Sequence, residues 1–261
     1  MDTPFPLIFP NGQHVPAVEV AALSDLHSAL QTLGVPLGMP VLTLVGGAGG
    51  LGPSHWQQLQ NFFAQVIAPL IQQQGWAAVD GGTHSGVMAL MGEVRQAMAN
   101  PCPLIGVAAR GTVHLPMEPL DDREERSPLD PHHSGFILVP GHTWGDESRW
   151  LAQTGVTLAQ GQPVITLMIN GGGITFQDAA MSVQVHSPVI AVEGSGRAAD
   201  LVAAALRGEG TDERAIALVE SGLVHSIALH DAAIVNQNKI LQIMDSALDK
   251  SLETPLKTTL D

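Results

Sequence analysis

From Pro40 onward the apolar positions come in short unbroken runs: VLTLV (41–45), WAAV (76–79), LIGVAA (104–109), FILV (136–139), VITLMI (164–169) and VIAV (189–192). A strand with one face in water alternates apolar and polar positions, whereas an unbroken run marks a strand covered by helices on both faces. Between the runs, apolar residues recur at helical spacing over 54–74, 86–99, 146–160, 174–183 and 198–206. In the first of these, Trp56, Leu59, Phe62, Phe63, Val66 and Leu70 share one face and read as core. Strand and helix in strict alternation predict a Rossmann-like α/β fold, with a mostly parallel sheet and helices on both faces.

Before and after this rhythm the pattern changes. Residues 1–39 read as an N-terminal appendage, β-rich in PLIF, PNG and HVPAVEV, that closes on a short amphipathic helix from Ser24, as N-cap, to about Leu33. Residues 40–208 form the core, 209–252 read as a C-terminal helical cap packed on it, and 253–261 as a polar tail. Ile234, Val235, Ile240, Leu241, Ile243, Met244 and Leu248 make that cap a candidate surface for a homo-oligomer. One connection, 112–135, is long, rich in Pro and charge, and reads as either a lid over a site or a surface connector.

Composition sharpens the picture. Charged residues make up 14% of the 261 positions, against the usual ~25%, so much of the chain is buried on two faces. Eleven Lys+Arg against 25 Asp+Glu leave a net charge of −14, which argues against nucleic-acid or anionic-membrane partners. The single Cys102 excludes a disulfide framework and a cysteine zinc site. With no secretory signal pattern and no run of ~18 apolar residues, the expectation is a cytoplasmic protein without membrane insertion.

The chemistry is concentrated where strands end. VGGAGGLGPSHW, VDGGTHSGVM, VPGHTWGDES, INGGGITFQD and VEGSGRAAD each run from a strand through glycines into a helix. In a parallel sheet these ends share one edge, where helix N-termini converge and favour phosphate. Gly46 and Gly47 open the first turn, which satisfies G-x-G-x-x-G over Gly47–Gly52. The acidic partner of a dinucleotide fingerprint falls only on Asp80, 28 residues past Gly52, so nicotinamide chemistry is disfavoured. No P-loop lysine, nucleophile elbow or H-E-x-x-H is present, and His132–His133 reads as surface, so no metal site is expected. With three Lys and eight Arg in the chain, Arg110 at the end of the third strand and Arg197 after the GSG turn stand out as anion ligands. Asp80 and Glu193, just before two turns, are expected to accept hydrogen bonds from ribose hydroxyls or turn N–H groups.

GGTHSGVM, LIGVAARG, HHSGFILV and VEGSGRAAD, in this order, resemble the SLOG superfamily (the Smf/DprA and LOG group) in its LSDAT branch. That branch comprises the N-terminal cytosolic domain of melastatin-type TRP channels and stand-alone prokaryotic relatives. The resemblance spans about residues 40–230 and implies binding or sensing of a nucleotide-derived ligand: ADP-ribose, a cyclic isomer, or an NAD-related molecule, with no required cofactor. It carries the phosphate-cradling turn onto Gly81, Gly82, Thr83, His84, Ser85 and Gly86, where the channel domains resemble VNTG. The second phosphate contact falls on Gly194, Ser195, Gly196 and Arg197. The superfamily's cytokinin-activating phosphoribohydrolases carry P-G-G-x-G-T-x-x-E, which resembles the turn holding Gly141, Thr143 and Gly145. This keeps an N-glycosidic nucleotide hydrolase as the alternative. Here His142 replaces the second Gly and the catalytic Glu position falls on Ser148 or Arg149, leaving Glu147 as an out-of-register candidate.

Overall fold

The computed structural model describes residues 3–47, 52–118 and 126–253. In chain order the strands are β1 (Phe5–Ile8), β2 (His14–Glu19), β3 (Val41–Gly46), β4 (Ala77–Asp80), β5 (Leu104–Ala109), β6 (Val113–His114), β7 (Ser127–Pro128), β8 (Gly135–Val139), β9 (Val164–Ile169), β10 (Val189–Glu193) and β11 (Val224–Ala228). The helices are α1 (Leu26–Thr32), α2 (Pro53–Phe62), α3 (Ala68–Gln74), α4 (Gly86–Ala97), α5 (Ser148–Ala159), α6 (Gly173–Gln184), α7 (Arg197–Leu206), α8 (Glu213–Glu220) and α9 (Ala233–Glu253). Nine strands form one sheet in the order β1-β2-β8-β5-β4-β3-β9-β10-β11, and β6 pairs separately with β7. Within the large sheet only β1 runs antiparallel to its neighbour. The Rossmann-like α/β fold is therefore the fold of the chain.

Both faces are covered, as the unbroken apolar runs require. On one face Val41, Val45, Val79 and Val107 pack against Leu30 of α1, Leu151 and Leu158 of α5, Phe176 of α6 and Val202 of α7. On the other, Leu42, Leu44, Ile165 and Leu167 pack against Leu59 and Phe62 of α2, Leu70 of α3, Leu90 and Met91 of α4, and Ile240 and Met244 of α9. The expected core face of residues 56–70 is thus real, apart from a partly exposed Trp56.

That long helical segment is not uniform. Pro69 has no N–H to donate and its ring crowds the carbonyl four residues back. The backbone widens into a π turn over Phe63–Ile67 between α2 and α3. The carbonyl left over, that of Gln65, accepts the side-chain amide of Gln237 from α9 at 2.8 Å.

Two expectations are corrected. The opening residues are not an appendage: β2 joins the large sheet parallel to β8, with Ala17 opposite Phe136. Its helix begins with a 3-10 turn, Leu23–Asp25, in which the Asp25 carboxylate accepts Ala22 N at 2.9 Å, and Ser24 makes no cap. The region after residue 208 is not only helical either, because β11 extends the sheet beside β10. Of the apolar residues on α9, Ile240 and Met244 are buried in the chain's own core, while Ile234 and Val235 are exposed.

A close backbone approach joins the turns after β3 and β9: a Cβ on Gly47 would lie 2.9 Å from Gly171 Cα. Neither backbone can move aside without opening the sheet edge. Gly47→Ala is expected to lower the unfolding free energy in urea by ~1–3 kcal/mol, the usual cost of overpacking. An unchanged midpoint and slope would show that the two turns do not need this contact.

Candidate functional site

The strand order runs from β3 through β4, β5 and β8 in one direction and through β9, β10 and β11 in the other. The reversal lies between β3 and β9, whose ends are level, Gly46 opposite Ile169. In open α/β sheets the crevice outside the carboxyl ends at such a reversal is where ligands bind. The turns after β4 and β9 lead into α4 and α6 beside it.

These glycine turns resemble one another in sequence and differ in how their N–H groups are used. In the turn after β8, Asp146 Oδ2 accepts His142 N and Thr143 N (2.9 and 3.0 Å), and Glu147 accepts Gly145 N through both oxygens (3.2 and 3.1 Å). The chain's own carboxylates occupy that anion-receptive turn. At α7, Ala198 N and Ala199 N bond to the carbonyls of Gly171 and Asn170, and Gly194 N bonds to Asp200 Oδ1 at 2.7 Å. By contrast, α4 begins at Ser85 without a side-chain cap, and the N–H groups of Gly86, Val87 and Met88 meet no acceptor among the described residues. At α6 the same holds for Gly173, Ile174 and Thr175, although Thr175 Oγ1 accepts Gly172 N at 3.2 Å. The two open helix starts flank the crevice.

Behind the α4 turn lies a chain of ionisable groups. Asp80, at the end of β4, is fully buried; its Oδ1 accepts Gly82 N at 2.7 Å and bonds His133 Nε2 at 2.8 Å. His133 Nδ1 reaches Asp130 Oδ1 at 3.2 Å, and Asp130 Oδ2 bonds His84 Nδ1 at 2.7 Å. Asp130 Oδ1 also accepts His132 N at 2.9 Å. The side chains of Asp80, Asp130 and His133 are all 0% exposed, whereas that of His84 is 50% exposed. Burial alone would strip His133 of its proton, but the charge of Asp80 and the hydrogen bonds of both carboxylates hold its pKa up, at about 9. For Asp130, burial works against ionisation and is outweighed by the bonds from His133 and His84, which leave its pKa lowered. Room for Asp130 is made by Gly92 on α4, where a Cβ would stand 2.2 Å from Asp130 Oδ1.

Residues 39–237 match the family described as SLOG in TRPM, prokaryote. The chain belongs to this family. It is 29% identical over 199 residues to the transient receptor potential cation channel subfamily M member 2 of mouse, and equally to that of rat. A subfamily M member-like 2 protein of Nematostella vectensis is 26% identical over 200 residues. Each match takes in 62% of this chain and only 13% of the channel's length. The X-ray structure of TM1055, a structural-genomics target, superposes with a TM-score of 0.52 over 80% of this chain and 99% of its own, at 17% identity, and shares the fold.

In this SLOG domain the expected site residues divide. Gly46, Gly47, Gly81, Ser85 and Gly86 lie at the crevice turns, with His84 exposed beside α4. Arg197 is exposed and in the left-handed region (φ 49), and its Nη2 lies over the start of α6, 2.9 Å from where a Gly172 Cβ would stand. Others are turned inward. Thr83 is buried and bridges to Leu129. Ser195 is buried too, accepting Asn170 N and donating to Val192 O (2.8 and 2.6 Å), so its hydroxyl is spent inside the protein. Arg110 pairs with Glu118, and with Glu19 at 3.4 Å. Glu193 pairs with Arg207 at 2.5 Å, and the acid that holds a turn N–H there is Asp200. Asp80 does accept a turn N–H, but no ribose reaches a fully buried carboxylate. Glu147 is buried and raised in pKa by that burial, beside Asp178, which burial pushes up to about 7.

Asp130 and His133 lie in the segment expected as a lid or surface connector, and His133, expected at the surface, is buried. That segment is stitched to the α4 turn: Pro128 O accepts His84 N, and Gly82 O accepts Asp130 N. Its described arms are anchored, and residues 119–125 of the expected lid lie outside the described residues. A signal was present in LDPHHS, two histidines within reach of one aspartate. Because the folded state holds the His133 proton more tightly than the unfolded chain does, its stabilising effect is complete below the ordinary imidazole range, near 6.5, and is lost as pH rises through about 9. Urea denaturation across that window is expected to show stability falling by up to ~1.4 kcal/mol per pH unit, with the slope abolished in His133→Gln. A flat wild-type profile would mean that His133 is buried without its proton.

Proposed function

We propose that this SLOG domain binds a phosphate-bearing, nucleotide-derived ligand, with ADP-ribose, a cyclic isomer or an NAD-related molecule the favoured class. The observation that carries the reading is the pair of uncapped helix starts, Gly86–Met88 of α4 and Gly173–Thr175 of α6, on either side of the β3/β9 reversal. Unbonded first-turn N–H groups and the positive end of the helix dipole attract phosphate oxygens. A chain at −14 repels anions at long range, so attraction has to be local. Arg197 supplies a cation at the α6 start, and its left-handed backbone is the kind of strain that folds keep at functional positions.

Arg197→Gly separates binding from folding, because glycine adopts the φ of 49 without strain. Titration calorimetry with ADP-ribose is expected to show affinity reduced ~10- to 100-fold, the value of a charge-assisted hydrogen bond of ~1.5–3 kcal/mol. Binding within twofold of wild type would remove Arg197 from the site.

A further inference from the structure

On the reading that the α4 turn holds the ligand's phosphate, we infer that His84, backed by Asp130, is an acid–base catalyst that hydrolyses a P–O bond of the bound ligand. The substrate class is a nucleoside phosphate ester or anhydride.

His84 Nδ1 lies 2.7 Å from a carboxylate oxygen that is itself held by His132 N and His133 Nδ1. A carboxylate accepts and does not donate, so Nδ1 carries a proton, and in the neutral ring Nε2 holds the lone pair. A site built only to hold an anion gains nothing from a lone pair facing phosphate oxygens, and Arg or Lys would serve it better. A lone pair fixed in direction by a buried aspartate is instead suited to taking a proton from water. The three unbonded N–H groups that would hold the phosphoryl oxygens belong to Gly86, Val87 and Met88, beginning two residues along the chain. The ionisable groups that face the imidazole are Asp130 and, through it, His132, His133 and Asp80. Buried His133, held cationic between two carboxylates, keeps Asp130 ionised and in place. Asp130 is thus a positioning residue and His84 the catalytic one.

The step balances with water as the sole co-reactant. Nε2 takes one proton from a water molecule as the water oxygen bonds to phosphorus, and the P–O bond to the leaving group breaks. The leaving oxygen then receives the proton from Nε2, regenerating the imidazole. Nothing is oxidised or reduced.

The test incubates the full chain with ADP-ribose (anhydride) and with AMP (ester) in ¹⁸O-water, identifies products by mass spectrometry, and measures binding of both in parallel by calorimetry. The expected result is release of AMP and ribose 5-phosphate, or of adenosine and phosphate, with the label on a phosphate group. His84→Gln is expected to keep ligand binding and lose at least ~100-fold in rate, as removal of a general acid–base group does. Asp130→Asn is expected to lower kcat with KM unchanged; a matching loss of binding or of folding stability would make Asp130 merely structural. Binding without turnover of either compound, turnover that survives His84→Gln, or release of free adenine in place of P–O cleavage each overturns the inference while leaving the binding reading standing. Absence of binding to both compounds overturns the two together.

Discussion

Two carboxylates buried beneath the end of β4 are tolerable only because a protonated imidazole lies between them. Removing one partner of such a buried set leaves an uncompensated charge at a cost of ~3–5 kcal/mol, so Asp80, His133 and Asp130 stand or fall as a unit. The unit joins three parts of the chain far apart in sequence: the β4 end, the segment leading into β8, and, through His84, the turn that starts α4. It fixes the backbone of that turn as well, because Asp80 holds Gly82 N while Pro128 holds His84 N. The open start of α4 is therefore held in place by the chain's own hydrogen bonds.

The glycine-rich strand ends show how similar sequence can have opposite consequences. After β8 the turn carries its own anions, Asp146 and Glu147, and has no N–H left for a ligand at His142, Thr143 or Gly145. At α7 the first-turn N–H groups dock on the β9 turn, which brings Arg197 over α6 instead of over its own helix start. The cation thus serves a neighbouring turn. Composition alone assigns every such turn the same role; the position of a nearby carboxylate or carbonyl decides which of them remain receptive.

The central strands were legible because burial on both faces leaves unbroken apolar runs, and the observed β5 and β9 coincide with the expected 104–109 and 164–169. Pairing at the edges was not legible. The partner of β2 is β8, a hundred and more residues away, and no local pattern encodes such a register. Strand β11 escaped notice because an edge strand with exposed His225 between buried Val224 and Ile227 is too short and mixed to outweigh the helical segments around it. Asp130 and His133 were hidden for a physical reason: charged residues normally mark solvated loops, and only mutual neutralisation lets them be buried. Of the turn residues carried over by resemblance, Ser195 and Thr83 are buried and face inward.

On the proposed function, phosphate is received at the starts of α4 and α6 and not at the other glycine turns. Amide NMR during titration with ADP-ribose tests it most directly, since each N–H reports its own environment. Large shifts are expected at Gly86, Val87, Met88, Gly173 and Ile174, with His142, Thr143 and Gly145 left in place by the carboxylates that already hold them. Shifts confined to the 141–147 turn, or none at α4 under saturating ligand, would contradict it.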